Sequence, residues 1–241
     1  MKKVFLYITM ALFCSYVAVA QEKSTLKPSQ EQIAKDSLIN KLIAETDGKK
    51  AEQISKEIVN KIDTDSIWAD QKTKRDMWRI HPLYTYLNAE DLKGFKDFYS
   101  TLGEVTGTER IHFASAGFVR RAVAKGEDLD YARTLIEKER KWAKDKLKDA
   151  ENAERLSQSE IEGRQYGYAL FTNDYAKLLA KIGNDKGAFE MSKEALEYNK
   201  KRKDADITDF YIAMALKFLN EKEITNQLAT LVKDEMATAN V

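Results

Sequence analysis

Cysteine is almost missing from this chain: Cys14 is the only one in 241 residues. It lies within the first twenty residues, so the remainder offers no disulfide, no thiolate nucleophile and no Cys-type zinc site. Histidine is nearly as scarce. His81 and His112 stand alone, in no H-E-x-x-H or other short metal-ligand spacing, and ordinary hydrogen-bonded roles are expected of both. Neither G-x-G-x-x-G nor G-x-x-x-x-G-K-[ST] occurs, which argues against the standard nucleotide folds. No catalytic constellation, cofactor or metal is expected. Period-two alternation and dense β-branched runs are missing too, and prolines number only two, Pro28 and Pro82. Charge of one sign is not in excess: the formal net charge is +1, which gives no electrostatic reason to expect nucleic acid or an anionic membrane as partner.

What is present begins with a leader. MKKVFLYITMALFCSYVAVA opens on Lys2 and Lys3, continues as an apolar run, and ends in Ala18-Val19-Ala20, a small-x-small pattern for signal peptidase. Cleavage before Gln21 is expected, with the product periplasmic or secreted and without a stable membrane anchor. Phe13, directly before Cys14, is too large for lipid attachment at that cysteine. Loss of Lys2 and Lys3 moves the net charge to −1. Residues 21–29, with Pro28, are polar and read as a flexible lead-in.

From Gln30 onward the pattern is helical. Ile54, Ile58 and Ile62 form a stripe at helical spacing. Pro82 biases His81 away from helical geometry, so a break is expected there. Asn88 is a candidate cap for the helix carrying Leu92, Phe95, Phe98, Tyr99 and Leu102, and Gly103 its terminator. Residues 30–105 are thus expected to be an irregular helical region. Gly126-Glu127-Asp128 joins two further helices, the second running through Trp142 and Leu147 into KDKLKDAENAER, which offers little to bury. Glu137/Arg140 and Glu190/Glu194 fall at surface spacing and read as solvated faces. Three more segments lie between Ile161 and Asn220, and a last helix covers Glu223–Met236. The chain reads as all-α, built of consecutive antiparallel hairpins with short loops.

Within YAKLLAKIGNDKGAFEMSKEALEYN (175–199), Ala176, Ala188 and Ala195 stand where helices would cross, with Leu179 opposite and Gly183 at the turn. This pattern resembles the tetratricopeptide repeat, a helix–turn–helix unit of 34 residues. The resemblance implies a right-handed solenoid over 106–241. A shift of 37 residues carries Ala176 onto Ala213 and Leu179 onto Leu216, while Gly183, Ala188 and Ala195 fall on Asn220, Thr225 and Val232, a degenerate second unit. FTNDYAKLLAKIGNDKGAFEMSKEALEYN and the upstream AVAKGEDLDYARTLIEK are also similar to the helical region preceding the thioredoxin-like domain of exported Bacteroidetes proteins of the TlpA type. That likeness implies an accessory helical module of a disulfide oxidoreductase. This sequence carries no C-x-x-C, so redox activity is not implied for it.

The expected function is therefore non-catalytic binding of a protein or peptide. In the repeat register, Asn173, Lys177 and Lys181 project from the inner face, and Phe210, Met214 and Lys217 take comparable places on the next unit. A cationic row beside apolar residues suits an extended peptide or an acidic tail. Tyr166, Tyr168, Phe171 and Tyr175, with Phe210, Tyr211 and Phe218, read first as core filling.

Overall fold

The computed structural model describes residues 29–151, 156–234 and 236. The expected leader, Cys14 and nearly all of the lead-in lie outside them. Internal contacts divide the chain into two units, Met1–Ser37 and Leu38–Val241. Of the first, only 29–37 are described: Ser29 Oγ accepts from the Gln32 backbone N–H at 3.1 Å as helix α1 (Gln30–Ala44) begins, and the Gln32 amide donates to Asp36 at 2.9 Å.

The described residues of the second unit are helical and contain no strand. After α1 come α2 (Gly48–Thr64), a 3₁₀ run (Ser66–Lys74), α3 (Arg75–Asn88), α4 (Leu92–Thr101), α5 (Arg110–Lys125), α6 (Leu129–Glu151), α7 (Gln158–Lys181), α8 (Asp185–Asn199), α9 (Ala205–Phe218) and α10 (Glu221–Lys233). Asp47 caps α2 through the Lys50 N–H, and the Ile54/Ile58/Ile62 stripe is buried with Leu42, Trp68 and Trp78. A larger core links Ile80, Leu83 and Phe95 to Phe118, Ile136, Tyr168 and Leu178.

Three local expectations are corrected. Pro82 does not break the chain; it lies inside α3. Its missing N–H orphans the carbonyl four residues back, that of Trp78, and the buried Ser55 hydroxyl donates to that oxygen at 2.8 Å. The cap of α4 is Asp91, accepting from the Gly94 N–H at 2.8 Å, whereas Asn88 ends the preceding helix. The charged stretch after Trp142 also contributes to the interior: α6 continues through Glu151 and buries Ala143, Leu147 and Ala150.

The neighbouring His81 is neutral in the fold. Burial first, then the Arg110 charge, lowers its pKa to about 4, against a bond to the Leu42 backbone that raises it. The unfolded chain binds a proton below about 6.5 and the folded chain only below about 4, so this group costs stability as pH falls through that window. Between pH 7 and pH 5 the loss is about 2 kcal/mol. Urea unfolding of His81→Gln should show a shallower acid slope by that amount; an unchanged slope would refute the assignment.

From α5 to α9 each helix packs on the next, while α7 also touches α5 on one side and α9 on the other. The loops between them are short, so consecutive helices form hairpins. Ala176, Ala188 and Ala195 are fully buried and Leu179 nearly so. Gly183 has φ +81°, where a Cβ would be strained. The shift of 37 residues does not carry into α9. Ala213 is exposed and Leu216 is 60% exposed, whereas α9 buries Ile207, Tyr211, Met214 and Ala215.

Candidate functional site

The six residues proposed from sequence do not form one open row. Asn173 is 1% exposed and Met214 2%, so neither projects from the surface. Residues four apart on a helix advance by about 40° around its axis. The row therefore starts inside at Asn173, is partly exposed at Lys177 and lies fully in solvent at Lys181. Two of the three cations, Lys177 and Lys217, are compensated. Lys177 Nζ lies 2.5 Å from Asp206 and 5.8 Å from the Phe210 ring centroid, and Lys217 meets Asp185 at 3.3 Å. Asn173 Nδ2 donates to the same Asp206 at 3.1 Å.

These groups belong to a polar clasp across α5, α7 and α9. Arg120 on α5 donates from Nε to both oxygens of Asp174, at 2.9 and 3.0 Å, with Nη2 at 2.8 Å. Asp174 is 4% exposed; burial raises its pKa, and the Arg120 charge opposes that rise. Tyr166 donates to Asp204 at 2.7 Å, and its phenol is pushed up to about 12, by burial before that bond. A matching clasp ties α6 to α7 and α8: Arg140 reaches Tyr168 at 2.9 Å and Glu194 at 2.5 Å. The solvated faces expected at Glu137/Arg140 and Glu190/Glu194 are corrected to this extent. Arg140 and Glu194 are half-buried partners of each other, and Glu137 accepts from Arg133 and Tyr175 at 2.9 Å. Such bonds hold helices together and leave little charge free for a ligand.

Open space lies elsewhere, in a cleft of about 270 Å³ between α5, α6 and α7. Its apolar walls are Phe113, Trp142, Phe171 and Leu156, and its α7 side is formed by Gly163 and Gly167. Phe171 is buried as expected, with the Trp142 ring edge-on at 6.1 Å and Phe113 tilted at 5.7 Å. Phe113 itself is 46% exposed. The two glycines occupy one helix face, and a Cβ added to either would meet nothing within 4 Å. Close packing thus does not require glycine at these positions.

Behind the Trp142 wall sits an arrangement that the sequence did not single out. His112 stacks on Trp142 with ring centroids 3.7 Å apart and planes 17° from parallel. Its Nδ1 is hydrogen-bonded to Glu139 Oε2, and Glu139 is fully buried with Oε1 unpartnered among the described residues. The ring is half-buried and hydrogen-bonded, in keeping with the ordinary hydrogen-bonded role expected of this histidine. Glu139 and Trp142, three apart on α6, share a helix face and so were pairable in sequence; His112, on another helix, was not.

Charge around the cleft is unevenly satisfied. Glu109 and Arg164 pair at 2.8 Å. Glu160 accepts from the Ser157 hydroxyl and N–H at 2.7 and 2.8 Å, closing the capping box of α7. Lys146 lines the cleft without an ion-pair partner among the described residues. A second and larger hollow, of about 500 Å³, is bordered by Gln165, Glu194, Glu197, Tyr198, Lys200 and Lys201, with polar and apolar surface in equal shares. Among the described residues no cluster of His, Cys, Asp or Glu could hold a metal ion, and no helix is long and apolar enough to cross a membrane. No family model matches this chain, and neither a curated protein nor a solved structure is significantly similar to it.

Proposed function

We propose that this chain is an exported, non-catalytic helical-repeat protein that binds a protein or peptide, with the cleft between α5, α6 and α7 as its docking site. The observation that carries this reading is the pair Gly163 and Gly167. Glycine inside a helix costs about 1 kcal/mol relative to alanine, and here no neighbouring atom demands it. Two such residues beside an exposed phenylalanine make sense if another molecule's backbone or side chain occupies that space. Tetratricopeptide-like stacking into a right-handed solenoid is part of the same reading. Its support is the side-by-side placement of α5, α7 and α9, and the fully buried Ala176, Ala188 and Ala195.

Gly163→Ala and Gly167→Ala should each raise stability by about 0.5–1 kcal/mol in urea unfolding, since the new methyl meets no atom and helix propensity improves. Gly167→Leu, which fills the cleft, should remove the adduct formed by a photo-crosslinking residue placed at Phe113 in the native cell envelope. The crosslinked partner would be identified by mass. An adduct that persists unchanged in Gly167→Leu overturns the assignment of the docking site.

A further inference from the structure

Resting on that reading of the cleft, we propose that its occupant is a second copy of this chain, two copies meeting across a two-fold axis with Phe113 of each seated against the other's cleft. A two-fold contact uses the same patch on both partners, so the patch must carry each feature together with its complement. This one does so in shape. Phe113, 46% exposed, stands at the rim as an aromatic anchor. Beside it lies a hollow of about 270 Å³, with Gly163 and Gly167 on the α7 side, where an added Cβ would meet nothing within 4 Å. That volume is at or below the small end of ligand pockets, enough for one large side chain and too little for the apolar face of a helix. Trp142 and Phe171 offer an entering ring the tilted and edge-on contacts that aromatic groups prefer.

Charge repeats the pattern. Glu109, Lys146, Glu160 and Arg164 line the cleft and sum to zero, so the patch as a whole favours neither a cationic nor an anionic partner. Glu109 and Arg164 pair with each other at 2.8 Å. Lys146 and Glu160 are left, one cation and one anion without an ion pair among the described residues. Glu160 stays ionised, since its bonds from the Ser157 N–H and hydroxyl lower its pKa. A ligand of one sign satisfies one of these two groups and repels the other. A second copy brings an anion for Lys146 and a cation for Glu160, and the two-fold axis makes that match twice. The eleven residues lining the cleft fall short of the roughly 20–30 a side of a standard stable interface, so the dimer is a weak, reversible one.

The test follows the oligomeric state of the chain from Gln21 onward by sedimentation equilibrium at low salt, together with the mass of the Phe113 crosslink. A reversible monomer–dimer equilibrium is expected. Phe113→Ala, Gly167→Leu and Lys146→Glu should each weaken it about tenfold or more, the last because it sets like charges against each other twice. The gap between the parent and Lys146→Glu should shrink as salt rises. Lys146→Glu with Glu160→Lys exchanges the two signs and should bring dimerisation back towards the parent's strength. A chain that stays monomeric up to millimolar concentration overturns self-association, and so does a dimer indifferent to all three single substitutions. The crosslink separates that failure from failure of the docking site. An adduct at twice the chain mass supports the second copy. An adduct of any other mass overturns it and leaves the cleft as the docking site of a different partner, whereas no adduct at all overturns both.

Discussion

Replacing His112 with Phe should destabilise the protein by about 3–5 kcal/mol, the largest single effect expected from any site described above. The aromatic ring is retained, so stacking on Trp142 persists and the loss isolates the Nδ1 contact to Glu139. Glu139 is fully buried and its other oxygen is already without a described partner. Removing His112 Nδ1 therefore strands a whole carboxyl group in an apolar interior. For a chain of this size the melting temperature should fall by about 10 °C. His112→Phe with Glu139→Leu should recover most of the loss, because replacing both members of a buried polar pair by apolar groups is close to neutral. A His112→Phe variant within 1 kcal/mol of the parent in urea unfolding would show that the pair is not structurally important.

Arg120→Met should cost about 3 kcal/mol, at the low end of the range for a broken buried pair because water reaches the half-exposed guanidinium. The loss arises at Asp174, which stays buried when its counter-ion is removed. Its pH dependence distinguishes this from lost packing. Burial already raises the Asp174 pKa above its ordinary value of 3.8, and without Arg120 it rises further. A carboxyl with a raised folded-state pKa is no burden below the unfolded value and becomes one as pH climbs through the folded value. The deficit of Arg120→Met relative to the parent should therefore be larger at pH 8 than at pH 5. A deficit independent of pH would mean that the methylene stem of Arg120, not its charge, matters. Arg120→Met with Asp174→Asn should remove the pH dependence and restore much of the stability.

The all-helical character was legible in the residues because period and capping are local properties. Ile54, Ile58 and Ile62 lie on one face by spacing alone, and a cap acts only on N–H groups a few residues ahead, so the cap expected at Asn88 is off by just three residues from Asp91. The hairpin around Gly183 was legible for the same reason, since three alanines and a glycine record where helices approach. Legibility failed wherever the deciding partner came from another helix. Pro82 reads as a break until Ser55 supplies the donor for the carbonyl of Trp78. Lys177 and Lys217 read as free cations until Asp206 and Asp185 arrive beside them. His112 reads as unremarkable until Glu139 and Trp142 close on it.

By itself, then, the sequence determined which segments are helical, where most of them turn, and which small residues let hairpins stack. Tertiary structure alone decided which charges are spent inside the fold and where space is left over. The physical reason is one of range. Helical periodicity and caps act within about four residues. Neutralisation of a charge, burial of a carboxyl and the opening of a cleft depend on groups brought from 27 residues away, as in His112–Glu139, or 54 away, as in Arg120–Asp174. Gly163 and Gly167 make the contrast plainest: in the sequence they only weaken a helix, and in the fold they open one side of a cleft.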